Sequence, residues 1–245
     1  MTYKEMLRKA RDSTSEVAKH QKEQLIVQIF RELGYYVSPA FMILNVSANK
    51  ITVLGLILGV FAAALIWHGN LFWGVLFLFF EVILDHVDGT IARVRGEATF
   101  YGRFVDGICG IIVTTSIKFS LTGLVISISG LNSVAWLGLI TTILTPTHLL
   151  FYDRYSAYAR WINEEHKDIN LNPYLRGEMP AYFNKLNDLQ MMLLFVLPLF
   201  YYFSEYSHHL ISIYFLLNIY LALHTFFVYG VSAYKNFCVG AKPHR

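Results

Sequence analysis

The chain has 245 residues, 55% of them hydrophobic and 15% charged, with a mean hydropathy of +0.44. Soluble domains carry roughly 25% charged residues, so this composition excludes an ordinary water-soluble domain and places the chain in a membrane. A net charge of +3 is too small to mark a nucleic-acid binder, and no nucleic-acid partner is expected.

Met1 to Glu23 is polar and mixed in charge, so no signal peptide is expected and sorting falls to the transmembrane helices. Residues 3–31 alternate charged and apolar positions at helical spacing. Lys4, Arg8, Lys9, Arg11, Lys19 and Lys22 make the start basic, and Leu25, Ile26, Ile29 and Phe30 form an apolar stripe. This pattern predicts an amphipathic helix on the cytoplasmic membrane surface, or a plain solvated helix over 3–20. Residues 34–46 read as an aromatic, proline-containing entry to the membrane. At the start of the first apolar run, Ser47 or Asn49 is expected to cap a helix.

A membrane helix needs about 20 apolar residues. On that rule spans are placed at 50–67, 71–92, 103–128, 133–152, 189–204 and 209–234. The loops between them alternate in charge. Residues 68–70, 129–132 and 205–208 hold almost no Lys or Arg, whereas the N-terminus, 93–103, 153–188 and the C-terminal tail hold nearly all of them. The alternation predicts six spans with both termini cytoplasmic. Three segments follow: an interfacial N-terminal segment (1–35), a six-helix membrane domain (36–235) and a cytoplasmic tail (236–245). Cys109 and Cys238 lack metal-type spacing and read as packed thiols rather than a disulfide.

Between two of these spans lies an unusual stretch, Asp85 to Gly110, DHVDGTIARVRGEATFYGRFVDGICG. Asp85 and Asp88 share a helix face, and Arg93, eight positions on, returns near it. Gly102 and Asp106 repeat a small-then-acidic spacing on the next helix. Helix capping or ion pairing accounts for one such Asp, but not for three beside Gly89 and Gly102. Carboxylates at a membrane border are costly unless neutralised. An all-oxygen set points to Mg²⁺ or Mn²⁺ rather than zinc.

The stretch resembles the CDP-alcohol phosphotransferase family, whose pattern is D-x2-D-G-x2-A-R-x8-G-x3-D-x3-D. Asp85, Asp88, Gly89, Ala92, Arg93, Gly102 and Asp106 match it at the family's spacing, and the final Asp is Gly110 here. Seven fixed positions are far more specific than a lone glycine motif. The resemblance implies an all-α integral membrane enzyme that moves a phospho-alcohol from a CDP-linked donor to an alcohol or anionic acceptor, releasing CMP. Asp85, Asp88 and Asp106 would hold metal, with Asp88 and Asp106 catalytic. Asp85, Gly89, Ala92, Arg93 and Gly102 would line the nucleotide site. Asn49 and Thr52 resemble a family element at the start of the first membrane helix and join that set. Arg103, Arg154 and Gly110 are candidates for acceptor or phosphate contacts, as are Arg160 and Arg176 in the long polar loop, where headgroup contact is the plainer role for any single Arg.

The resemblance further implies a role in phospholipid synthesis at a bacterial or archaeal plasma membrane, contact with membrane lipids, a homodimer as one form, and a site facing the cytoplasm. In the family the last Asp is thought to act as the base, so Gly110 leaves that role vacant. His86, His148, Asp153 and His166 are candidates to fill it, or the acceptor brings its own charge. Transfer to a surface glycan or small polyol, and a CDP-binding protein without turnover, are the competing readings. Glu81 and Lys118 are intramembrane charges and functional candidates. Lys118 is assigned to snorkelling and set outside the site.

Overall fold

The computed structural model describes residues 2–13, 24–166, 169–173, 175, 181–201 and 207–238. Among these residues all regular structure is helical. The helices are α1 (Tyr3–Asp12), α2 (Leu25–Ile43), α3 (Ala48–Trp67), α4 (Leu71–Arg95), α5 (Phe100–Ser129), α6 (Ser133–Glu165), α7 (Ala181–Tyr201) and α8 (Ser207–Ala233), followed by a π turn, Tyr234–Cys238.

Four helices are long and apolar enough to cross a membrane: α3, α5, α6 and the run His209–Phe237. Every 18-residue window of α4 contains Glu81, Asp85 and Asp88, which keeps that helix outside the same charge limit. α7 is polar in its first half, with Asn184, Lys185, Asn187, Asp188 and Gln190. Leu54, Ile57, Val60 and Phe61 on α3 and Phe119, Ile126 and Ile128 on α5 are exposed, as side chains facing lipid would be.

α3 is the hub. It packs on both α4 and α5, which make little close contact with one another. Glycines allow the approach: a Cβ at Gly59 would lie 3.1 Å from the Val113 Cβ, and closer to both of its methyls. One apolar core joins α3 to α8 around Ile66, Leu121, Tyr214 and Phe215. A second ties α6, α7 and α8 through Tyr155, Phe183 and Tyr229. A third packs α2 on α3 and α4 through Phe30, Ile51 and Val87.

The helix expected over 3–31 is described as two pieces, with 14–23, including Lys19 and Lys22, outside the described residues. α1 opens with a capping box, in which Thr2 Oγ1 accepts from the Glu5 N–H and Glu5 accepts from the Thr2 N–H. It docks on α2, where Arg11 pairs with Glu32 at 2.8 Å and lies over the Tyr36 ring. The expected entry at 34–46 is mostly helix, because α2 continues through residue 35 and Pro39 to Ile43. Burial of Gly34, Tyr35, Ser38 and Pro39 against the bundle overrides the proline's missing donor.

The expected loop at 153–188 is also corrected, since α6 extends to Glu165. Tyr155, Ser156 and Ala159 are buried at helical spacing, and this face holds the extension on the bundle. Arg176 lies outside the described residues.

The α3–α5 packing carries a direct test. Gly59→Ala should cost about 1–3 kcal/mol through overpacking against Val113, read as a lower thermal midpoint in detergent. An unchanged midpoint would contradict this contact.

Candidate functional site

α4 and α5 run in opposite senses on either side of a four-residue link, residues 96–99. α4 ends at Gly96, whose φ of 66° is the left-handed conformation that glycine adopts without strain. The Glu97 N–H donates to the Ala92 carbonyl there, at 2.9 Å. α5 begins at Thr99, whose hydroxyl accepts from the Gly102 N–H at 3.0 Å. Arg95 donates to the Val46 carbonyl at 2.7 Å and fixes the end of α4 against the start of α3.

The two helices leave a small cavity between them, of about 10 Å³, which is room for one ion or water. Asp85, Asp88 and Asp106 line it, together with Glu81, Cys109 and Gly110. Thr52, Gly55 and Leu56 of α3 form its back wall. Asp88 is buried at 4% exposure, and its carboxylate accepts a hydrogen bond of 2.5 Å from Thr52 Oγ1. Asp106 is half-buried and Asp85 is open to the cleft. No Lys or Arg forms an ion pair with these carboxylates among the described residues. Nor, among those residues, do three His, Cys, Asp or Glu side chains converge as a preformed metal cage. The carboxylates share a cavity rather than a point.

The other motif residues, Gly89, Ala92, Arg93 and Gly102, do not line this cavity and lie nearer the link between the two helices. The Arg93 guanidinium lies across Gly89, where a Cβ would stand 3.1 Å from Nη1. Arg93 also donates to the Ser13 carbonyl at 2.8 Å and to Thr90 Oγ1 at 3.3 Å, which ties the motif to the end of α1. Asn49 Oδ1 stands 3.4 Å from where a Gly102 Cβ would be, so the start of α3 meets the start of α5. Ser47 is the N-cap residue of α3, but no side chain makes the expected capping bond.

Gly110 lines the cavity and has open space where a side chain would extend. Arg103 and Arg154 are exposed and line neither this cavity nor the larger one beside it. Among the candidates for the vacant base position, His86 packs against Gly34 of α2, and His166 follows the end of α6. The Asp153 carboxylate lies 3.8 Å from where a Gly107 Cβ would be, outside the cavity. His148 lines the larger cavity.

Glu81 was legible only as an intramembrane charge. It stands one turn farther from the interhelix link than Asp85, and Gly110 stands one turn farther than Asp106. Glu81 and Gly110 line the same cavity from facing helices. Glu81 also borders the larger cavity of about 270 Å³, which Lys118 lines as well. Among the described residues, Glu81 is thus the one titratable side chain that both cavities share.

Residues 45–223 match the family model of the CDP-alcohol phosphatidyltransferases. Over 70 residues the chain is 40% identical to phosphatidylinositol phosphate synthase of Streptomyces avermitilis, a match covering 27% of this chain and 28% of that protein. Over 83 residues it is 28% identical to the enzyme of the same name from Mycobacteroides abscessus, covering 34% and 38% respectively. The chain thus spans well under half the length of these curated relatives. The crystal structure of Mycobacterium tuberculosis phosphatidylinositol phosphate synthase with CDP-DAG bound superposes at a TM-score of 0.62 and 17% identity, covering 81% of this chain and 92% of that one. That likeness establishes the fold. The family match takes in most of the chain, and the motif spacing, the lipid-facing helices and the carboxylate cavity agree with it: this integral membrane protein belongs to the CDP-alcohol phosphatidyltransferase family.

Proposed function

We propose that this protein transfers a phospho-alcohol group of the phosphatidyl type from a CDP-linked donor to an acceptor, releasing CMP, in phospholipid synthesis. The observation that carries this reading is the meeting of Asp85, Asp88 and Asp106 at one cavity, unpaired with any cation among the described residues. Family membership and the CDP-DAG bound to the structural relative support a CDP-linked lipid donor.

The donor set is all oxygen and suits a hard divalent cation, Mg²⁺ or Mn²⁺, held by Asp85, Asp88 and Asp106. Such an ion supplies Lewis acidity at the donor pyrophosphate. The chain's own residues do the remaining work. Thr52 orients Asp88 by its hydrogen bond. Gly89, Ala92 and Gly102 leave the backbone open to close approach by the nucleotide. Asn49 and Thr52 border it from α3. Arg93 offers its planar fork to phosphate oxygens.

In the transfer, an acceptor oxygen bonds to the phosphorus that carries the donor alcohol, and the P–O bond to CMP breaks. The acceptor hydroxyl proton must leave. Position 110 has no side chain to take it, and the Glu81 carboxylate, which lines the same cavity from the facing helix, is assigned that role. The protein is therefore read as a working enzyme rather than a CDP-binding remnant.

All of α3 to α8 are assigned to the membrane, with both termini and the carboxylate cavity on the cytoplasmic side. Residues 68–70, 129–132 and 202–206 carry no Lys or Arg, whereas Arg93, Arg95, Arg103, Arg154, Arg160 and Lys185 cluster at the opposite ends of the helices. Residues 1–35 are assigned as the interfacial segment, 36–235 as the membrane domain and 236–245 as the tail.

The function is tested by CMP release from a panel of CDP-alcohols and acceptors. Wild type should require Mg²⁺ or Mn²⁺, and Asp88→Asn should lose turnover. Release that survives both EDTA and that substitution would overturn the reading. Glu81→Gln should slow release to an alcohol acceptor by about 10²–10⁴ with donor binding retained, as expected for a lost general base. Adding Gly110→Asp to that variant should restore part of the rate. A Glu81→Gln protein with full rate would remove Glu81 from this role.

For topology, cysteines placed at Gly69 and Asn132 should react with an impermeant thiol reagent on intact cells. One at Glu164 should react only after permeabilisation, and external labelling there would reverse the orientation.

A further inference from the structure

α1 lies outside residues 45–223, the part of the chain that the family model matches. Its apolar side is engaged within the protein. Met6 and Ala10, one turn apart, are buried, and α1 packs on α2 and touches α4. The face that would enter lipid in an interfacial helix therefore meets protein here. Both ends of α1 are anchored to α2. The Tyr3 hydroxyl donates to the Tyr36 carbonyl at 2.8 Å. Near the other end, Arg11 donates to Glu32 at 2.8 Å and to the Tyr36 hydroxyl at 3.1 Å, with its guanidinium 5.2 Å from the centre of the Tyr36 ring.

This anchoring brings the C-terminal end of α1 to α4. The Ser13 hydroxyl turns back to the Ala10 carbonyl at 2.7 Å, and the Ser13 main-chain carbonyl accepts from Arg93 Nε at 2.8 Å. A helix C-terminus presents carbonyls without intrahelical partners and a partial negative charge, and a guanidinium suits both. Thr90 Oγ1 accepts from Arg93 Nη2 at 3.3 Å, and its own proton goes to the His86 carbonyl at 2.7 Å. Nε and Nη2 are thus both held by the protein. Nη1 lies over Gly89, where a Cβ would stand 3.1 Å away, and it makes no hydrogen bond among the described residues.

We propose that α1 is a positioning element for the donor: it sets the Arg93 fork in advance and leaves Nη1 for a phosphate oxygen of the CDP group. Arg11 and Glu32 are then positioning residues, which touch neither nucleotide nor metal and act through Ser13 and Arg93. This rests on the transfer reading above for the identity of the phosphate. An untethered arginine loses rotamer freedom each time it binds a ligand, and docking of α1 removes that penalty by ordering the side chain beforehand. Gly89 serves the same end, because a side chain there would displace Nη1.

The test is calorimetric titration of the purified full chain in phosphatidylcholine nanodiscs with CDP in the presence of Mn²⁺. Ala10→Glu drives a carboxylate into the buried face of α1, and Arg11→Glu turns the pairing with Glu32 into repulsion. Each should weaken CDP by about 3–10-fold, the scale of ordering one long side chain. Arg93→Met should weaken it at least as much. Either α1 change added to Arg93→Met should cause no further loss, because α1 acts only through that arginine. Arg11→Lys, which keeps the pairing, should keep wild-type affinity.

Thermal midpoints in the same nanodiscs check folding, and the exposed Arg11 carries the test alone if Ala10→Glu fails to fold. Wild-type affinity in Arg11→Glu would overturn the proposal. So would undiminished binding by Arg93→Met, or a loss from α1 that adds in full to the loss from Arg93→Met. Tighter CDP binding in an α1 variant would show that Ser13 withholds Arg93 from phosphate, and would overturn it as well. A wild-type protein that fails to bind CDP with Mn²⁺ would overturn the transfer reading itself, whereas wild-type binding that no α1 variant changes would overturn this inference alone.

Discussion

The structure depends on the approach of Asp85, Asp88 and Asp106 across a gap between two helices that barely touch. Like charges in a cleft at the membrane border repel, and something must hold them there. α3 provides the frame by packing on both α4 and α5. Thr52 supplies a hydrogen bond to the most buried carboxylate, and small residues let the helix backbones come close. The ends of α4 and α5 are pinned by the Arg95 bond to Val46, the Gly96 turn and the Thr99 cap. The fold thus builds an acidic cavity whose aspartates form no ion pair with Lys or Arg among the described residues, and a hard divalent cation is its natural occupant.

Much of this was written in local spacing. The interval from Asp85 to Asp88 sets two carboxylates on one helix face, and the apolar runs mark the helices from α3 to α8 to within a few residues, α6 and α7 excepted. The exceptions have physical causes. Residues 153–165 are polar enough to read as loop, but Tyr155, Ser156 and Ala159 are buried on the bundle, and that tertiary contact extends α6. The continuation of α2 through Pro39 likewise comes from burial against α4. The Arg93 bond to Ser13 spans 80 positions and has no local signature. Neither does the cavity that Glu81 and Gly110 share, which appears only once both helices are packed on α3.

From sequence, Lys118 reads as snorkelling along the bundle toward water or a polar partner. Snorkelling explains a lysine near a helix end, where the side chain reaches water. Here the side chain is 4% exposed and borders an internal chamber instead. Glu81 borders both that chamber and the carboxylate cavity. In the proposed transfer, a chain without a side chain at position 110 keeps a carboxylate in the same cavity, supplied by the opposite helix.

The account's central claim is that the three aspartates hold a divalent cation, and metal binding tests it without reference to turnover. Mn²⁺ titration followed by electron paramagnetic resonance on the purified protein with CDP should show bound ion in wild type. It should show a large loss of affinity in each of Asp85→Asn, Asp88→Asn and Asp106→Asn. Undiminished Mn²⁺ binding by all three variants would contradict the account.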